Sequence, residues 1–288
     1  VIEDHVPTYI AVHHTYEPGN SENYSLEHAF EIARNIQNFH MDGNGWIDTG
    51  QQFTNSRGGF VLEGRHQSLG VVRGGTRHVQ GANVGGRNSE VIGIENEGDY
   101  RTVQPPQALW SSLVVLVAWI AGQYGTAAQN IQGHRDFNST ECPGDALYAK
   151  LPALRTAVAS TLGLPAPPAL AQWPLLKPGM SGRRVLAAQH LLRARGANVP
   201  VDGVFGASTT DAVRRIAEAH GNTRHVCAAT RGVNEAGYLG SDVWPLIAPR
   251  IQAGENSEVA GAVRVLTRGA ATHHSRLLSD LDWKRLLA

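Results

Sequence analysis

The chain has 288 residues, 42% hydrophobic and 17% charged, with 25 Lys+Arg against 25 Asp+Glu. That length is enough for one medium domain and one smaller one, each with a core of its own, and the neutral balance leaves no electrostatic footprint for nucleic acid. Two cysteines do not make a disulfide framework, and the most apolar run, "LWSSLVVLVAWIAG" (109–122), is short for a bilayer and carries two serines, so it reads as a buried helix with no membrane insertion.

In chain order, no signal-peptide pattern is read at the start, which is Val1 and not methionine. "TYIAVHHTY" (8–16) is rich in β-branched and aromatic residues and predicts a strand. "SLEHAFEIARNIQNFHM" (25–41) carries Leu26, Ala29, Phe30, Ala33, Ile36 and Phe39 at helical spacing, entered through Ser25. "GGFVLEGR" (58–65) predicts a strand behind a glycine turn, and "SEVIGIENEG" (89–98) predicts another. A helix opens after Pro105 and Pro106 and runs to about Gly122, and a last one spans roughly 145–161. Strands alternating with helices give an α/β domain over 1–161.

The composition breaks at "LGLPAPPALAQWP" (162–174), and the Pro/Ala-rich part, 162–172, is expected to be a semi-rigid linker. Beyond it, Val185, Ala188, Leu191 and Leu192 mark one apolar helix face, and Ala212, Val213, Ile216 and Ala219 a second, so 173–250 is expected to be a small all-α module. "WPLIAPRIQAGENSEVAGAVRVL", from Trp244, echoes "WPLLKPGMSGRRVLAAQHLL", from Trp173, which suggests a second, degenerate helical repeat reaching through 251–288.

The chemistry concentrates in "GHRDFNSTECPG" (133–144), where His134 and Cys142 lie eight positions apart. Such a thiol is a nucleophile, a metal ligand or a plain buried group. The strand "YIAVHHTY" bears on the choice. Successive side chains of a strand point to opposite faces, so Tyr9, Ala11, His13 and Thr15 share one face and Ile10, Val12 and His14 the other. His14 stands with the larger aliphatics, as a packed core histidine. His13 has small or polar neighbours, which leaves room for an ion. His13, His134 and Cys142 would make a His₂Cys set with one position open, the pattern of catalytic zinc sites.

"YIAVHHTY", "GNGWIDTGQQF", "GGFVLEGR", "SEVIGIENEGDY" and "GHRDFNSTECPG" occur in the order and spacing of zinc N-acetylmuramoyl-L-alanine amidases, the group that includes phage T7 lysozyme and the animal peptidoglycan recognition proteins. The resemblance covers nearly all of residues 8–150. It implies a central, mostly β sheet flanked by helices, with a small C-terminal all-α domain. "LKPGMSGRRVLAAQHLL…VDGVFGASTTDAV" in turn resembles the three-helix peptidoglycan-binding module often joined to such enzymes.

The resemblance implies Zn2+ on His13, His134 and Cys142, and hydrolysis of the amide joining N-acetylmuramic acid to L-alanine of peptidoglycan stem peptides. It implies Glu95 as the group that moves the proton, whereas strand parity alone does not choose between Glu95 and Glu97. Thr140 would donate a hydrogen bond to the developing oxyanion or serve only as a turn residue. Trp46 and Arg65 fall in matching motifs and would line the groove, unless Trp46 is core packing and Arg65 a structural ion-pair residue, and Asp136 would orient His134 or cap a turn. Two positions depart from relatives. Gln51 stands where they carry an active-site tyrosine, and Asn83 makes "GAN" where many recognition proteins have "GAH"; both are expected to alter substrate contacts. The partner implied is bacterial peptidoglycan, and that substrate implies an extracytoplasmic place of action. A non-catalytic wall-recognition protein is the alternative function. A cysteine peptidase is disfavoured, since "TECPG" sets no helix N-terminus directly behind the thiol to lower its pKa.

Overall fold

The computed structural model describes residues 1–222, 234–248, 256–268 and 278–288, so Cys227 lies outside the described residues. These residues fall into two compact units. One holds residues 1–137 and 141–169. The other holds 138–140 and the described residues from Leu170 onward.

In the first unit the elements run β1 Ile2–Glu3, β2 Tyr9–His14, α1 Leu26–Asn38, β3 Phe53–Asn55, β4 Val61–Glu63, α2 Ser68–Gly74, β5 His78–Val79, β6 Val91–Asn96, α3 Gln107–Tyr124, β7 Ile131–Gly133, α4 Asp145–Tyr148 and α5 Leu151–Thr161. Five strands form a mixed sheet in the order β4-β3-β6-β2-β7. Only the β3–β4 pair is antiparallel; β3–β6, β6–β2 and β2–β7 are parallel. The α/β class and helix-flanked sheet expected from the sequence are what the chain forms. The strand expected over 58–65 is regular only at Val61–Glu63, the single helix expected over 145–161 is broken into α4 and α5, and β1, β3, β5, β7 and α2 have no counterpart in the sequence reading.

Helix α1 starts where Ser25 caps it, its side chain accepting from His28 N at 3.2 Å, with Glu27 in the first turn to meet the positive end of the helix. Helix α3 follows Pro106 and stops at Gly125, whose φ of +66° suits a residue without Cβ. By length and composition alone α3 is apolar enough to cross a membrane. Here its residues Leu109, Leu113, Leu116, Val117 and Ile120 are buried with Leu151, Leu154 and Val158 of α5 against Ile10, Val12, Ile92 and Ile94. Burial of each such side chain is worth roughly 1.5–3 kcal/mol. The other sheet face is built differently: Ala11, Val84 and Val91 form a small separate cluster with Tyr9 and Phe137. Alternation along β2 and β6 therefore sends aliphatic bulk to the α3 side and leaves small and polar groups on the opposite face.

In the second unit the helices are α6 Arg183–Ala194, α7 Ala207–Ala219, α8 Trp244–Ile247, α9 Ser257–Leu266 and α10 Asp280–Leu287. Val185, Leu191, Leu192, Val213, Trp244, Val259, Val263 and Trp283 share one core. The two "WPL" starts lie side by side. The Trp173 and Trp244 rings stack with centroids 5.8 Å apart and planes 8° from parallel, and Trp244 Nε1 donates to Pro174 O at 2.6 Å.

Candidate metal centre

The register of the inner strands builds the site. His13 lies opposite Glu95, and Glu95 lies opposite Thr54, so one row across β2, β6 and β3 carries the three side chains on one sheet face. It is the face without aliphatic bulk. His14 points to the other side, fully buried, where its Nδ1 accepts from Tyr100 N at 3.2 Å. Burial holds the His14 imidazole down at about 3, so it is a neutral core residue.

Strand β7 delivers the other donors. Gly133 pairs with Val12, so His134 leaves the sheet edge beside His13, and the two rings stand 4.5 Å apart between centroids. The chain then returns. Arg135 N donates to Cys142 O at 3.0 Å, and Cys142 Sγ reaches 3.6 Å from His13 Nδ1 while accepting from His14 N at 3.4 Å. Asp136 fastens this turn: its Oδ2 accepts from Gly133 N at 2.9 Å and its Oδ1 from the Tyr148 hydroxyl at 2.5 Å. Of the two roles expected for Asp136, the structure displays the turn cap.

One donor atom each from His13, His134 and Cys142 lies within 4.8 Å of the others, and all three residues are buried. In a tetrahedral ion with metal–nitrogen bonds of about 2.0–2.1 Å and a metal–sulfur bond of about 2.3 Å, nitrogen and sulfur stand about 3.6 Å apart. The separation of His13 Nδ1 and Cys142 Sγ is 3.6 Å. Burial, and then the neighbouring His134, hold His13 well below the usual imidazole range, which keeps it neutral, as a ligand must be. Two imidazoles and a thiol therefore fit a borderline-soft divalent cation in number, type and spacing.

The structure separates the two acids that strand parity left equal. Glu97 is spent on the fold: Oε1 lies 2.8 Å from His28 Nε2, and Oε2 accepts from Arg57 N at 2.8 Å. Glu95 is buried beside His13, its Oε1 has no partner among the described residues, and burial raises its carboxyl to about 8. An acid held near neutrality is suited to taking up and returning a proton.

The remaining expected residues have other surroundings. Gln51 is buried and its Nε2 donates to Thr54 Oγ1 at 3.0 Å. Asn83 points inward, its Nδ2 donating to Gly50 O at 2.9 Å and to Gln52 Oε1 at 3.2 Å. Arg65 is a brace, its Nε on Thr49 O at 2.7 Å and an Nη on Gln80 O at 2.8 Å. Trp46 is half-buried on the His40 ring, with centroids 4.9 Å apart. Thr140 is fully buried; residues 138–140 group with the second unit, where its hydroxyl donates to Glu235 Oε1 at 3.1 Å.

Sequence reasoning passed over Gln52, whose amide joins Val79 O, Gly93 N and Asn83; nothing local marks a glutamine for that task. It also passed over a cavity of about 470 Å3 lined by Phe30, Arg34 and Gln37 of α1 with Thr54, Leu62 and Glu63. Of its lining, Thr54 belongs to the same row as Glu95 and His13.

A family model described as N-acetylmuramoyl-L-alanine amidase matches residues 3–145. The chain is 31% identical over 144 residues to peptidoglycan-recognition protein LB of Drosophila melanogaster, covering 50% of this chain and 57% of that protein. It is 31% identical over 142 residues to the N-acetylmuramoyl-L-alanine amidase of Homo sapiens, covering 49% of this chain and 23% of that protein. Over 151 residues it is 31% identical to peptidoglycan-recognition protein SC2 of Drosophila simulans, covering 50% of this chain and 72% of that protein. The chain thus spans less than two thirds of the first two relatives.

Proposed function

Because the chain belongs to the N-acetylmuramoyl-L-alanine amidase family, in which peptidoglycan recognition proteins are its relatives, we propose that it is a zinc amidase. It would hydrolyse the amide between N-acetylmuramic acid and L-alanine of peptidoglycan stem peptides. The observation that carries this reading is the complete donor set, His13, His134 and Cys142, gathered at one place, with His13 paired in the sheet with Glu95, a buried carboxyl that has an unpartnered oxygen.

Bound there, zinc would supply Lewis-acid polarisation of the scissile carbonyl and activation of water at neutral pH. The chain's own groups do the rest. Cys142 and the two imidazoles, all buried, would hold the ion. Glu95 receives the proton released as the nucleophile attacks and returns it to the departing L-alanine amine. Thr140, two residues before Cys142, is the proposed donor to the developing oxyanion on sequence grounds, a role that requires its hydroxyl to release Glu235. The cavity beside α1 receives the substrate next to the scissile bond. The second unit would bind the wall polymer and raise the local substrate concentration. Such a substrate calls for an extracytoplasmic place of action.

The test is to incubate the purified, zinc-loaded protein with sacculi and measure release of stem peptides and appearance of new L-alanine amino termini. Chelation or His13→Ala should abolish both, and activity that survives the two treatments rules the metal reading out. Gln51 favours a second reading, recognition without cleavage. Glutamine donates a hydrogen bond but cannot act as an acid where relatives carry tyrosine. Bound zinc and bound muropeptide without product would select that reading.

A further inference from the structure

His13 has two ring nitrogens, and Nδ1 faces Cys142 Sγ at 3.6 Å. Its Nε2 is buried and makes no well-formed hydrogen bond among the described residues, and the same holds for Asn83 Oδ1. Two buried polar atoms left unpaired are costly, a reason to ask whether they belong together.

They share one place on the sheet. A Cβ at Gly93 would fall 2.4 Å from Asn83 Oδ1, so the carboxamide lies directly over Gly93. Gly93 stands opposite Ala11, and both lie two residues before the His13–Glu95 pair on the same face. The Asn83 side chain is within reach of the His13 ring, and neither atom has another partner among the described residues. Such contacts at reactive sites often tighten only when the site is filled.

The direction of the Asn83 amide is fixed by its other partners. Nδ2 donates to Gly50 O at 2.9 Å and Gln52 Oε1 at 3.2 Å. Gln52 cannot turn over to accommodate a flip, because its Nε2 donates to Val79 O at 2.6 Å and its Oε1 accepts from Gly93 N at 2.7 Å. A flipped Asn83 would set a carbonyl against two acceptors. The loop is held as well, with Asn83 N and Val84 N both donating to Asn88 Oδ1, at 2.8 and 2.9 Å. Oδ1 is left as an acceptor facing the ring, and from a neutral imidazole it can accept only an N–H.

We propose that Asn83 is a positioning residue for His13: its Oδ1 accepts the Nε2 proton and so fixes the tautomer that presents the Nδ1 lone pair to the ion shared with His134 and Cys142. The inference rests on the metal reading above. It changes the part expected of Asn83 from a substrate contact to the partner that sets a ligand's orientation, as outer partners of metal-bound histidines do.

The experiment has two arms. In metal-free, 15N-labelled protein, long-range 1H–15N correlation should find His13 as the Nε2–H tautomer. In Asn83→Ala the tautomers should mix, zinc affinity measured against a chromophoric chelator should fall about 10–100-fold, and the visible spectrum of the cobalt-loaded protein should shift. An Nδ1–H tautomer in the wild type overturns the proposal, as does a folded Asn83→Ala protein with unchanged tautomer and affinity. If Asn83→Ala does not fold, the wild-type tautomer decides alone. Zinc uptake without turnover would sink the amidase reading and leave this one standing, whereas a wild type that takes up no zinc overturns both.

Discussion

His13 Nδ1 and Cys142 Sγ meet 3.6 Å apart across 129 positions of sequence. Neither strand β2 nor the 133–144 turn holds a full donor set by itself; the parallel pairing of β2 with β7 brings the halves together. The proposed ion would therefore also staple the fold, since a ligand that binds only the native state stabilises it by mass action.

Zinc at about 1,000 times its dissociation constant should add about 4 kcal/mol to the stability of the wild type and raise its Tm. His13→Ala and Cys142→Ser should show no zinc-dependent rise. Calorimetric scans with and without zinc check this. An equal rise in the variants would mean that the ion binds elsewhere.

Glu95→Gln separates holding the ion from moving the proton. The variant should keep its zinc stoichiometry and lose about 10²–10⁴-fold in kcat on a muramyl peptide, the usual worth of a positioned acid–base group. Loss of zinc along with activity would make Glu95 a ligand instead.

The same variant fixes a pH trend in the metal-free protein. Burial raises the Glu95 carboxyl from 4.5 to about 8, so the fold prefers the neutral acid. That contribution is fully present below the unfolded value near 4.5 and is lost as pH rises through the folded value near 8. Glu95→Gln should therefore gain on the wild type across this window, by a few kcal/mol, and level off above it. His14 works the opposite limb: its value is depressed from 6.5 to about 3, so acidification below 6.5 destabilises both proteins alike and cancels in the difference. Denaturant unfolding at a series of pH values measures that difference. A flat one contradicts the burial of Glu95.

Glu97→Gln should behave unlike Glu95→Gln. It weakens the contact to His28 and the bond from Arg57 N, so it should cost about 1–3 kcal/mol of stability without changing zinc affinity. Arg65→Met, which removes the ties to Thr49 O and Gln80 O, should do the same. Urea unfolding with parallel zinc titration checks both. A lowered zinc affinity in either folded variant would place that residue nearer the metal than its contacts do.

Much of this was legible from periodicity. Alternation along "YIAVHH" separates His13 from His14, and the observed burial of His14 against Tyr100 follows it. The caps of α1 and α3 are written in Ser25 and in the prolines before Gln107. Other features had no local signal. Glu95 and Glu97 share strand parity, and what distinguishes them is His28 arriving from α1 and Arg57 from the turn after β3. Arg65 and Asn83 are expected from sequence to contact substrate, and they turn inward because backbone carbonyls at residues 49, 50 and 80 accept from them. Strand β3, three residues long, is too short to carry a period; pairing with β6 makes it a strand.

The most direct measurement is anomalous X-ray scattering, recorded on both sides of the zinc absorption edge, from a crystal of the zinc-loaded protein. The expected result is one strong peak bonded to a nitrogen of His13, a nitrogen of His134 and the sulfur of Cys142. No peak there, or a peak whose ligands exclude two of these three residues, contradicts the metal centre and the amidase built on it.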